Sequence, residues 1–184
     1  VPEDSLAPYA EKGWDEAPYL GNKGYTPHPA PRAAYAAMVT RLDREIGRLM
    51  DLVKELGLER DTLWVFSSDN GPLYNQLGGT DSEFFNSHGG LRGRKRADYE
   101  GGIRVPGIVR YPTYFKTHNI KPGSVSNVPI IGSDLFTTVC ELADVPVPED
   151  RIIDGAIIES DPIFFVPDAE VERRGDGSDE IPDF

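Results

Sequence analysis

The chain has 184 residues, enough for one domain with a buried core and short for two. Its 31 Asp and Glu outweigh 19 Lys and Arg, and the formal net charge of -12 excludes nucleic acid as the main partner, because phosphate contacts need clustered cations. The single cysteine, Cys140, excludes an intrachain disulfide, and no stretch approaches the roughly 18 apolar residues of a membrane span.

Residues 1–30 are rich in Pro, Gly and Tyr, lack periodicity, and read as an extended surface loop. Pro31 suits a first helical turn. From Tyr35 through Met38, Leu42, Ile46, Leu49 and Val53 to Leu56, apolar residues recur at three- and four-residue steps. This predicts a helix over 31–57 that buries one stripe and is capped by Gly57. Thr62 to Ser68 is a short apolar run rich in β-formers, which predicts a core strand over 62–68 buried on both faces. A long helix feeding a buried strand predicts an α/β sheet with helices packed on it.

Asp69-Asn70-Gly71-Pro72 then breaks the chain direction. Residues 73–104 form a long Gly-rich stretch of the kind that carries function rather than core. Gly107 to Tyr111 reads as a second short strand, closed by Pro112. Ser133 or Asp134 is placed to cap a helix that buries Leu135, Phe136, Val139 and Leu142. Cys140 within it reads as a small buried hydrophobe. Residues 159–184 form an acidic tail, expected to be disordered.

Two segments could do chemistry. Asp69 and Asn70 sit at the C-terminal end of the predicted strand, where ligands collect in open α/β sheets. A carboxylate beside an amide oxygen gives two hard donors, suited to Ca²⁺ or Mg²⁺ more than to Zn²⁺. The same four residues also make a good turn with no metal. Downstream, Arg92, Arg94, Lys95, Arg96 and Arg104 contrast with the acidic whole. A Gly-rich loop with these cations can present charge to an anion, or can pair with nearby carboxylates. His88 lies between the two segments and either reaches a site there or is an ordinary loop histidine. His28 and His118 read as surface residues.

The order helix, strand, Ser-Asp-Asn-Gly, Leu-Arg-Gly-x-Lys and Tyr-Glu-Gly-Gly-x-Arg-x-Pro resembles the type I, formylglycine-dependent sulfatases. The likeness runs from about Tyr35 to about Gly155 and ends on a helix followed by an Asp154-Gly155 turn. It implies an α/β fold: part of an alkaline-phosphatase-like mixed sheet flanked by helices, truncated at the N-terminus, with the partial catalytic domain over 1–158. It implies that Asp69 and Asn70 are two ligands of the active-site divalent cation, Ca²⁺ or Mg²⁺. By the same resemblance Lys95 contacts the substrate sulfate, and Glu100, Gly101, Gly102 and Arg104 shape the loop that carries it. The implied substrate is a sulfated small molecule or glycan, and the implied compartment is periplasmic, secreted or lysosomal.

The family's nucleophile is a formylglycine made from Cys or Ser in Cys/Ser-x-Pro-x-Arg, and that motif does not occur here. The expectation is therefore a sulfuric ester hydrolase fragment that carries part of the metal and sulfate site and is inactive alone. A phosphodiesterase or phosphatase of the same superfamily and a non-catalytic remnant are the alternatives. Asn70 favours sulfate, since a histidine there would point toward phosphate chemistry.

Overall fold

The structure, a computed structural model, describes residues 1–14, 17–22, 24–74, 77–110 and 122–158. The expected acidic tail over 159–184 and His118 lie outside the described residues. The elements run α1 (Glu3–Ala10), α2 (Pro31–Glu55), a 3₁₀ turn at Glu59–Asp61, β1 (Trp64–Ser67), a 3₁₀ turn at Leu77–Gly79, α3 (Glu100–Ile103), β2 (Gly107–Arg110) and α4 (Gly132–Leu142). β1 and β2 pair in a small antiparallel sheet, so the fold is mixed α/β. Contacts divide the chain into two compact units. One holds Val1–Thr62 with Phe66–Gly107, the other Leu63–Val65 with the described residues from Ile108 on.

The first unit is organised on α2. Pro31 opens this helix, and Gly57, at φ +72°, stops it after Glu55 by taking a left-handed conformation that costs a residue with a Cβ. The predicted surface loop over 1–30 contains a helix, α1, and antiparallel bridges joining Tyr19 to His28 and Asn22 to Tyr25. Eight residues are too few to display a periodic stripe, so polar anchors hold α1 instead. Arg44 donates to the Asp4 carboxylate at 2.9 Å, and the Tyr9 and Thr40 hydroxyls share a hydrogen bond.

The side chains that α2 buries are Ala33, Ala34 and Ala37, not the larger stripe. Leu42, Leu49 and Leu56 stay 54%, 55% and 61% exposed. The reason is length, since eight residues of α1 cannot cover 25 residues of α2. β1 departs from expectation in the same way. Predicted to be buried on both faces, it leaves Val65 and Phe66 about two-fifths exposed, because a sheet of two strands offers little to pack against.

In the second unit, α4 is fixed to the chain that follows it. The Asp134 carboxylate accepts the Ile131 N–H at 2.8 Å, which caps the helix, and the Ala156 N–H at 2.9 Å. Thr137 donates to the Ala156 carbonyl at 2.7 Å, and the Ile158 N–H donates to Thr138 at 3.0 Å. Gly155 lies so close to the helix start that a Cβ there would sit 2.2 Å from the Ser133 carbonyl oxygen. The buried residues of α4 are Thr137 and Cys140, whereas Phe136 and Val139, expected inside, are exposed. The polar docking of 154–158 engages Ser133, Asp134, Thr137 and Thr138, which at about 100° per residue lie on the side of the helix away from Phe136 and Val139.

The two backbone donors, Ile131 first and then Ala156, hold the Asp134 carboxyl below the ordinary aspartate value of 3.8. A depressed folded value means that this anchor contributes fully above 3.8 and is lost as pH falls through the lower, folded one. The protection of the Ala156 and Ile158 amides, measured against the intrinsic exchange rate at each pH, should therefore hold down to pH values near that of a free aspartate and fall below it. Asp134→Asn should give the low protection at every pH.

Candidate functional site

Asp69 and Asn70 leave β1 and enter a turn whose next residue, Gly71, is tightly crowded. The Gly71 N–H donates to the Gly102 carbonyl at 2.9 Å. A Cβ on Gly71 would lie 2.0 Å from the Gly101 carbonyl oxygen, closer than any side chain tolerates. The contact is repeated one layer further on. A Cβ on Gly101 would meet the Gly93 carbonyl oxygen at 2.3 Å, and one on Gly102 would meet that of Ala97 at 2.1 Å. Three stretches of backbone thus touch directly, and glycine alone allows this approach.

This stacking brings the basic loop to the Asp69–Asn70 turn. The Lys95 N–H donates to the Pro72 carbonyl at 2.8 Å, and the Gly101 N–H donates to Arg92 at 2.7 Å. Lys95 and Arg96 are the central residues of a tight turn closed by the Ala97 N–H on the Arg94 carbonyl, at 2.8 Å. Arg96 takes φ +77° there, a conformation a side chain rarely adopts. The lysine is thereby carried on the tip of a braced turn.

The brace is Arg94. Its side chain is buried, donates to Ser82 Oγ at 3.2 Å and to the Gly93 carbonyl at 2.7 Å, and pairs with Glu83. Residues 81–85 are pinned in turn to the start of α2. Arg32 pairs with Asp81 at 2.8 Å and stacks on the Phe84 ring, while Tyr35 packs against Phe85 with ring centroids 5.1 Å apart. Trp14 closes this aromatic group against both Phe84 and Phe85.

The cations of the loop differ in their partners. Arg94 pairs with Glu83 and Arg104 with Glu100, as in a basic loop neutralised by its own carboxylates. Arg92 lies on the Tyr99 ring. Lys95 is half-buried and forms no ion pair with a described residue. Asp69 is exposed and likewise makes no described ion pair. The Asn70 amide nitrogen donates to the Gly71 carbonyl at 2.8 Å, so its side-chain oxygen is the atom that can meet a cation. These two donors are of the right chemical kind for Ca²⁺, which takes about six to eight oxygens, but no group of three or more acidic, His or Cys side chains gathers among the described residues.

His88 is placed at Glu83, with Nε2 3.5 Å from its carboxylate and Nδ1 buried without a hydrogen-bond partner among the described residues. His28 accepts the Ala30 N–H through Nδ1 at 3.1 Å and is a local turn residue. Sequence reasoning grouped Arg94 with the other cations of its loop without giving it a separate role, and missed Glu83 and Arg32. Only a buried position distinguishes Arg94 from its basic neighbours, and burial leaves no mark in a run of cations.

A protein-family description, Sulfatase, matches residues 5–145. Steryl-sulfatase of Homo sapiens is 40% identical over 121 residues, covering 66% of this chain and 20% of that protein. N-acetylgalactosamine-6-sulfatase of Mus musculus is 36% identical over 129 residues, covering 67% and 22%. Arylsulfatase D of Homo sapiens is 33% identical over 127 residues, covering 66% and 20%. The chain spans about a fifth of the length of these curated relatives.

The glycine stack predicts how the Lys95 turn can be detached. Gly71→Ala should force the two loops apart at a cost of about 1–3 kcal/mol, typical of overpacking. Trypsin should then cut faster at Arg92 to Arg96. Gly107→Ala, where an added Cβ meets nothing within 4 Å, should leave the cleavage rate unchanged.

Proposed function

The chain belongs to the sulfatase family, and on that premise we propose that its Asp69–Asn70 turn and its Lys95 turn form one side of a site for the sulfate group of a sulfate ester. The observation that carries this reading is the hydrogen bond from the Lys95 N–H to the Pro72 carbonyl. It ties the backbone of a lysine with no described carboxylate partner to the residue two positions after Asn70.

The chemistry follows from charge. Cleaving a sulfate ester leaves negative charge on the departing oxygen and on the sulfate oxygens. The Lys95 ammonium offsets part of that charge, and a braced turn holds it in place without reorganisation. Ca²⁺ or Mg²⁺, when bound, supplies further neutralisation at the sulfate oxygens, and Asp69 and Asn70 would hold it through their side-chain oxygens. Two ligands are too few for tight binding, so the affinity of these residues alone is weak.

His88 faces Glu83, and that contact supports a bracing role for it over one at the sulfate. The absence of Cys/Ser-x-Pro-x-Arg supports binding without turnover by these 184 residues on their own. That makes the chain a sulfuric ester hydrolase by family whose nucleophile is not among the residues present. An exported destination, periplasmic, secreted or lysosomal, goes with the family reading. No helix among the described residues is long and apolar enough to cross a membrane.

Titration with inorganic sulfate tests the site. Lys95→Ala should weaken binding about tenfold or more, the usual loss for one charge-assisted hydrogen bond. Ca²⁺ should bind no tighter than about 10⁻⁴ M, the range of poorly filled sites, and Asp69→Ala should abolish it. An aryl sulfate should not be hydrolysed. Sulfate affinity that survives Lys95→Ala, or turnover by the purified chain, would refute the assignment.

A further inference from the structure

Asn70-Gly71 is the single Asn-Gly pair of the sequence. An asparagine before glycine readily loses its side-chain amide, because no Cβ on the next residue hinders that residue's main-chain nitrogen. In the reaction the Gly71 nitrogen gives its proton to a solvent base and attacks Asn70 Cγ. The N–Cγ bond forms, the Cγ–Nδ2 bond breaks, and the side-chain nitrogen leaves as ammonia. Water then opens the five-membered imide. Attack at one carbonyl gives aspartate. Attack at the other gives isoaspartate, which carries an extra methylene in the main chain. Water is the only co-reactant, and nothing is oxidised or reduced.

The fold engages every group that this reaction needs. The Gly71 N–H donates to the Gly102 carbonyl at 2.9 Å, and Gly71 is buried. Ser68 Oγ donates to the Asn70 carbonyl at 2.9 Å, so the Asn70–Gly71 peptide group is held at both its oxygen and its N–H. The leaving nitrogen, Asn70 Nδ2, is itself tied to the Gly71 carbonyl at 2.8 Å. Ser67, Ser68 and Asp69 are exposed, so water is at hand whenever the stack opens.

We propose that Asn70 is a deamidation site gated by the glycine stack. Closed, the stack denies the Gly71 nitrogen to Asn70 Cγ; each opening releases it. The isoaspartyl product makes the opening permanent. Its extra methylene shifts Gly71 against Gly101 and Gly102, where even a Cβ finds no room. Both products also place a second carboxylate beside Asp69. What that does to a bound cation rests on the function proposed above; the chemistry at Asn70 does not.

The full chain and a free peptide of residues 66–74 are incubated side by side at mildly alkaline pH, and conversion of Asn70 is followed by peptide mass mapping. Conversion in the chain should be at least about tenfold slower than in the peptide. The retardation should match the exchange protection of the Gly71 amide, because both read the same opening. Gly102→Ala, whose Cβ would lie 2.1 Å from the Ala97 carbonyl oxygen, should speed conversion about tenfold. Gly107→Ala should leave it unchanged. Converted chains, separated by their added negative charge, should be cut by trypsin at Arg92 to Arg96 faster than Asn70→Asp chains, which gain the charge without the methylene.

Conversion at the peptide's rate while the Gly71 amide is protected would overturn the gate, as would a Gly102→Ala chain that converts no faster than the native one. Converted chains cut no faster than Asn70→Asp would overturn the permanent opening. If Gly102→Ala lost the exchange protection of α2, and so had unfolded, the comparison of native chain with peptide decides without it. None of these readouts involves metal or sulfate. A failed sulfate titration therefore leaves the gate standing, and a failed gate leaves the Lys95 assignment standing.

Discussion

Everything that defines the candidate site depends on one backbone approach, that of Gly71 against Gly101 and Gly102. Asp69 and Asn70 are fixed by the end of β1, and Lys95 lies 25 positions downstream in a stretch with little regular structure. Closing a loop of that length costs entropy that must be recovered by contacts at its base. Here the contacts are main chain on main chain, where hydrogen bonds and close packing coincide, and a single methyl group at any layer would separate them. The glycines of the second loop therefore serve geometry, and the polar residues between them are free to serve chemistry.

Charge is divided along the same lines. Arg94 and Lys95 are adjacent in sequence and differ completely in what surrounds them. Arg94 is buried and satisfied by a hydroxyl, a carbonyl and a carboxylate, so removing it would leave Glu83 and Ser82 without their shared donor. Lys95 points its charge at no described carboxylate. A rigid fork suits the bracing position, and a compact point charge suits the open one. The brace extends back through Asp81 and Phe85 to Arg32 and Tyr35 on α2, so the longest helix among the described residues braces a loop more than 60 positions away in sequence.

Periodicity made α2 legible to within two residues, since a stripe over many turns is a strong local signal. α1 carries no such stripe and is held by Asp4 and Tyr9, so it was invisible. Burial was the less legible quantity. The apolar residues of α2, β1 and α4 were correctly placed in their elements, but what covers them depends on neighbours that no local pattern encodes, and several remain exposed. Asp69, Asn70 and Lys95 could be picked out as motif residues. The bonds that draw their loops together could not, because they run between main-chain atoms and any sequence possesses those.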